Sequence, residues 1–132
     1  MARFFSFMVI FLTISTLVSA QSVFHNGNDN DAVITWEDDL IDLGKIKKDK
    51  PATVIYKFKN EGLKPLIITN VESSCGCTVP EYSKQPIKPL ASGEIVATYD
   101  AKTTGVFSKS ISVSTNASEK PKVLILKGEV IP

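Results

Sequence analysis

The sequence predicts an all-β fold, a single antiparallel β-sandwich of about seven to nine strands over residues 32–132. Three observations carry this. Apolar residues recur with a period of two rather than 3.6. Short apolar runs are separated by turn residues at sandwich spacing. No stretch after Ala32 sustains the pattern of an amphipathic helix.

Taken in order, Val33 to Trp36 is a short apolar run and Ile41 to Ile46 a second. Thr53 to Asn60 is the clearest strand: Val54, Tyr56 and Phe58 share one face while Lys57 and Lys59 take the other, giving one dry and one wet side. Leu66 to Val71 follows. Glu94 to Asp100 repeats the scheme with Ile95, Ala97 and Tyr99 inward, and Ile111 and Val113 alternate with Ser110, Ser112 and Ser114. Leu124, Leu126 and Val130 fit the same alternation. Between the runs stand Lys50-Pro51, Asn60-Glu61-Gly62, Lys64-Pro65, Lys88-Pro89, Ser92-Gly93 and Thr104-Gly105, where Pro fixes φ and Gly supplies freedom at turns. Asn116-Ala117-Ser118 matches the N-glycosylation acceptor, yet its place between two strand patterns reads as a polar hairpin turn. Trp36, Tyr56, Phe58 and Tyr99 are assigned to the core, because strand spacing explains them without a ligand.

Met1 to Ala20 reads differently. Arg3 and the terminal amine precede an apolar run from Phe4 to Leu17, and Val18-Ser19-Ala20 has the small-x-small pattern of a signal peptidase site. A signal peptide over residues 1–20, cleaved before Gln21, is therefore expected, which places the protein in the periplasm or outside the cell. The run is too short to cross about 30 Å of hydrocarbon comfortably, so no transmembrane anchor is expected after cleavage. Residues 21–31 are polar and without period, the composition of a flexible leader. The only histidine, His25, lies there and is read as solvated, since general-base work needs a positioned imidazole.

Loss of Arg3 removes the only arginine and leaves 14 Lys against 14 acidic groups. Phosphate and base recognition draw on excess positive charge and on Arg, so nucleic acid is disfavoured as a partner. With no usable histidine, no G-x-S-x-G and no phosphate loop, the inventory lacks an acid–base or nucleophilic constellation. A non-catalytic binding or structural module, with an unidentified protein or cell-envelope partner, is the favoured class. Glu37, Asp38, Asp39 and Asp42 lack the glycine and terminal glutamate of a calcium loop and read as a solvated acidic turn. Tyr82, between Pro80 and Pro86, stands in a segment that reads as loop; it is either a partner-contacting aromatic or packing at the end of the sandwich.

Unusual chemistry is concentrated in Ser73-Ser74-Cys75-Gly76-Cys77-Thr78, which holds both cysteines. Three readings stand. A disulfide suits an oxidising compartment, and Gly76 would help it close by taking dihedrals barred to other residues; a three-residue ring removes only about 1.5 kcal/mol of chain entropy, so such a bond shapes a loop more than it staples a fold. A reduced pair could instead bind a soft metal, Cu(I), through Cys75 and Cys77, whereas zinc would want more nitrogen or sulfur ligands. Thiol–disulfide exchange is the third, one residue short of the C-x-x-C spacing.

Beyond these local readings, the chain resembles the bacterial family known as domain of unknown function 1573. The resemblance runs through Leu43-Gly44-Lys45-Ile46, Tyr56 to Gly62, Pro65 to Ile68, Ser74-Cys75-Gly76-Cys77-Thr78-Val79-Pro80, Ile87-Lys88-Pro89, Gly105 to Ile111 and Leu124 to Val130. It implies an immunoglobulin-like sandwich, similar to domains of cilium- and centrosome-associated proteins, and export in bacteria. The sequence departs from that pattern at Leu90-Ala91-Ser92-Gly93, where a glycine would follow Pro89 directly, and at Ala101 to Thr104, where a glycine-bearing turn is altered.

Overall fold

In a computed structural model that describes residues 31–132, the alternating positions become eight strands. They are β1 (Ile34–Trp36), β2 (Leu40–Lys47), β3 (Ala52–Asn60), β4 (Ile68–Ser73), β5 (Thr78–Tyr82), β6 (Ser92–Tyr99), β7 (Gly105–Thr115) and β8 (Ser118–Ile131). Residues 1–30, on which the expected signal peptide, most of the expected leader and His25 fall, lie outside the described residues. Among the described residues no helix is long and apolar enough to cross a membrane.

The strands make two four-stranded sheets, ordered β1-β3-β6-β5 and β2-β8-β7-β4. Inward residues of β3 and β6 (Val54, Tyr56, Phe58, Ile95, Ala97, Tyr99) meet Ile111 and Val113 of β7 and Leu124, Leu126 and Val130 of β8 in one buried core. Each large aliphatic or Phe side chain so buried contributes about 1.5–3 kcal/mol relative to exposure. Trp36, half-buried, packs on Phe58 with ring centroids 5.0 Å apart, and Tyr99 stacks on Phe107 at 4.2 Å.

Two expectations are corrected. The sandwich is not wholly antiparallel: β2 runs parallel to β8, from Leu40↔Ile125 to Lys47↔Ile131. The chain leaves β1, which pairs with β3, and changes sheets before β2, so it reaches the C-terminal strand travelling in the same direction. A register shift between Asp42 and Lys45 is absorbed at Gly44, whose φ is 63° and whose N–H donates to Asp42 Oδ1 at 2.8 Å.

The second correction concerns Tyr82, which lies on a strand, β5, and not in a loop. β5 is an edge strand paired only with β6. The Asp100 N–H donates to the Cys77 carbonyl at 2.9 Å, and antiparallel alternation from that bond directs the main chain of Val79 and Glu81 toward β6. Thr78, Pro80 and Tyr82 turn theirs outward, so the N–H that Pro80 lacks falls on the unpaired side, where proline is tolerated.

Asn60 is the buried polar centre of one end of the sandwich. It continues the inward parity of Val54, Tyr56 and Phe58. Its Nδ2 donates to the carbonyls of Lys64 (2.7 Å) and Ile87 (3.0 Å), and its Oδ1 accepts from the N–H of Gly62 (3.0 Å) and Val33 (3.4 Å). Nearby, Leu66 and Ile87 exchange both main-chain bonds at 2.8 Å. The Asn116 turn is a hairpin between β7 and β8, as its sequence suggests. Its Oδ1 accepts from the Ile67 N–H at 2.8 Å and its Nδ2 donates to the Pro65 carbonyl at 3.0 Å.

Candidate functional site: the cysteine turn and the groove beside Tyr82

The turn that carries the cysteines is pinned on both sides by main-chain and serine bonds. Ser73 Oγ donates to the Cys75 carbonyl at 2.8 Å, bending the chain as it leaves β4. The Ser74 N–H donates to the Ser110 carbonyl at 2.9 Å, and Ser74 Oγ accepts from the Ser110 N–H at 3.1 Å, tying the turn to β7. The Thr78 N–H closes the four-residue turn on the Cys75 carbonyl at 3.4 Å, and the Asp100 bond to Cys77 ties its far side to β6. The turn thus spans from an edge of one sheet to an edge of the other.

Within it Cys75 and Cys77 form a disulfide with Cα atoms 5.3 Å apart, inside the ordinary span. The expectation that Gly76 supplies special dihedrals is corrected. Neither Gly76 nor Cys77 has a positive φ, and a Cβ on Gly76 would meet open space. Turns of this kind accept most residues at their centre. In the disulfide state neither sulfur is a thiolate, so soft-metal binding would first require reduction. Among the described residues no three His, Cys, Asp or Glu side chains gather as a metal site.

Thr78 is the second buried polar residue of the fold. Among the described residues the one partner of its hydroxyl is Cys75 Sγ, at 4.0 Å. On the other side of the disulfide, Cys77 joins Asp100, Lys102, Thr104, Ser108 and Lys109 around a cleft of about 460 Å³. The sequence reading missed this cleft, because its polar walls come from a segment that reads only as a turn before β7. Tyr99 stands at its base; burial, and then the charge of Asp100, push its phenol up.

A larger groove of about 600 Å³ runs beside β5 and β6. Tyr82, Ile87, Ala91 and Val96 supply its apolar surface, and Glu81 and Glu94 stand among its polar lining. Tyr82 is half-buried and packs against the core. Its hydroxyl accepts from Lys84 Nζ at 2.7 Å, and the same ammonium lies 4.2 Å from the ring centroid. Tyr82 was legible in the sequence but the groove was not, although its walls all come from the single stretch Glu81 to Val96, because the fold-back of that stretch between β5 and β6 carries no periodic signal.

The acidic turn is exposed, and two of its carboxylates fasten β2 to β8. Asp39 pairs with Lys122 at 2.7 Å and Asp42 with Lys127 at 3.7 Å. The hydrogen bond and charge of Lys122 hold the Asp39 carboxyl below its ordinary value. Glu37 and Asp38 are exposed and form no ion pair among the described residues.

Among solved structures the chain is similar to a protein of unknown function from Porphyromonas gingivalis W83, with a TM-score of 0.67, 18% identity and 76% of this chain matched to 48% of that one. It spans about half of that protein's length. It is also similar to the ASH/PapD-like domain 7 of human CEP192 (TM-score 0.64, 8% identity, 74% of this chain and 84% of that one). A third likeness is to the Vibrio cholerae VesB protease (TM-score 0.56, 12% identity), where 73% of this chain matches 31% of that one. At these identities the likeness is one of fold, and it supports the immunoglobulin-like, PapD-like sandwich. No curated protein matches the chain. Residues 34–130, from the first strand to the last, match the family described as Protein of unknown function (DUF1573), and the chain belongs to that family.

Proposed function

We propose that this chain is an exported bacterial immunoglobulin-like module that binds a protein of the cell envelope without catalysing a reaction on it, and that the partner seats in the groove beside Tyr82. The groove is the observation that carries this. It combines aliphatic surface from Ile87, Ala91 and Val96, a half-buried aromatic and a carboxylate-bearing rim, the mixture that suits an extended polypeptide with apolar side chains. The β5 edge beside it lacks a donor at Pro80, so side-chain contacts rather than strand addition would hold the partner. Export is supported by the Met1 to Ala20 pattern and by the disulfide, which persists in oxidising compartments. The non-catalytic reading rests on the absence of histidine from residues 31–132 and on carboxylates that face lysines or solvent.

A photo-crosslinking residue placed at Glu81, in the native host, tests the reading. One discrete protein adduct is expected from Glu81, lost on Tyr82→Ala, with none from the same residue at Glu72 on the other sheet. Equal adducts from both positions, or none from Glu81, would overturn it. Intact-mass measurement of the native protein checks export, which requires loss of Met1 to Ala20.

A further inference from the structure

We propose that the Cys75–Cys77 disulfide is an exchangeable one, which accepts two electrons from a dithiol, with Cys77 as the sulfur attacked and Thr78 as the residue that positions and stabilises the departing Cys75 thiolate. This goes beyond the binding role and does not depend on it.

Three observations lead here. First, both flanks of the turn are pinned by bonds that do not involve the sulfurs: hydrogen bonds from Ser73, from Ser74 and Ser110, from Thr78 and from Asp100. A three-residue ring adds little further constraint, and a disulfide that contributes little to folding is correspondingly easy to reduce. Second, the two sulfurs have different surroundings. Cys77, half-buried against the core, lines a cleft in which the cations of Lys102 and Lys109 outnumber the one carboxylate, Asp100, and favour approach of a thiolate. Cys75 instead faces Thr78, whose hydroxyl has no other partner among the described residues. Third, a buried hydroxyl spent on a disulfide sulfur at 4.0 Å makes a weak bond. The same hydroxyl aimed at a thiolate makes a strong, charge-assisted one.

The chemistry follows from these positions. A donor thiolate attacks Cys77 Sγ, forming a mixed disulfide as the Cys75–Cys77 bond breaks and its electron pair leaves on Cys75 Sγ, which accepts the Thr78 hydrogen bond. The donor's second thiolate then attacks its own sulfur in the mixed disulfide, closing the donor disulfide and releasing Cys77 as a thiolate. The dithiol is oxidised, the protein is reduced, and the two protons given up by the donor are available to Cys75 and Cys77.

Equilibration of the purified protein with dithiothreitol of graded reduced-to-oxidised ratio, read by thiol alkylation and mass and with Trp36 fluorescence as the fold monitor, tests this. Reversible reduction with unchanged fluorescence is expected. Thr78→Val should shift the equilibrium about tenfold toward the disulfide, about 30 mV for a two-electron couple, and Thr78→Ser should restore it. Of the single variants, Cys75→Ser should form a mixed disulfide with oxidised glutathione faster than Cys77→Ser. A disulfide that yields only in denaturant would overturn the proposal. So would a Thr78→Val equilibrium equal to that of the parent, or faster reaction at Cys75.

Discussion

The Tyr56 hydroxyl donates to the carbonyl oxygen of Ile125 at 2.8 Å, joining β3 of one sheet to β8 of the other through the core. Ile125 also donates its N–H to the Asp39 carbonyl at 2.7 Å, so this one residue links the sheets and receives the start of β2. A bond of this kind orients the two sheets, which apolar contacts alone do not do.

Tyr56→Phe is expected to destabilise the fold by about 1–2 kcal/mol, because it leaves the Ile125 carbonyl without that partner. Urea denaturation measures this. Burial pushes the Tyr56 phenol up to about 12 from 10.0. The sign follows directly: below pH 10 both states are protonated and stability is unaffected, while between pH 10 and about 12 only the unfolded chain ionises, so stability falls. That fall should be shallower in Tyr56→Phe.

Asn60→Ala should be more costly, about 2–4 kcal/mol, since it takes the partner from the N–H groups of Gly62 and Val33 and from the Lys64 carbonyl, while the Ile87 carbonyl keeps the Leu66 N–H. Asn60→Asp should also destabilise, because it turns a carboxylate oxygen toward the carbonyls of Lys64 and Ile87. Thermal unfolding of the two variants beside the parent checks both.

How much of this was legible in the sequence depended on what each residue's pattern encodes. Period-two spacing reports the buried face of a strand, so inward residues of β3, β6, β7 and β8 were readable from the order of apolar and polar residues alone. It does not report which strand lies alongside or in what direction, which is why the parallel β2–β8 pair was not foreseen. β5 was missed because its inward residues, Thr78, Pro80 and Tyr82, include no aliphatic one and a proline interrupts it. Asn60 was read as a turn residue although its parity with Phe58 already pointed it inward. The disulfide was one open reading among three, and the two clefts, each lined mainly by one stretch of chain that folds back between strands, left no periodic signal.

Gly76→Ala should leave stability within about 0.5 kcal/mol of the parent, since the added Cβ meets open space and no left-handed φ is needed. Gly93→Ala should cost about 1–3 kcal/mol, because its Cβ would lie 2.5 Å from Phe58 Cζ in the core. The contrast, measured by chemical denaturation, separates a glycine required by packing from one that is not.

Leu90 sits where the family pattern leads to expect glycine, and its φ of 64° is the conformation glycine takes without cost. Its side chain is 68% exposed, so burial does little to offset the strain. Leu90→Gly is expected to raise stability by up to about 1 kcal/mol, the left-handed penalty less the added freedom of the unfolded chain. A rise in the denaturation midpoint checks it.

The sheets pair and the cysteine turn is pinned through bonds that involve neither sulfur, which leaves the turn free for chemistry. The most direct measurement is the unfolding free energy of Cys75→Ser/Cys77→Ser against the oxidised parent. A loss of no more than about 1.5 kcal/mol, the chain-entropy value of a three-residue ring, is predicted, with native fluorescence retained. A loss of about 4 kcal/mol or more, or failure of the double variant to fold, would contradict the account and make the disulfide a structural staple.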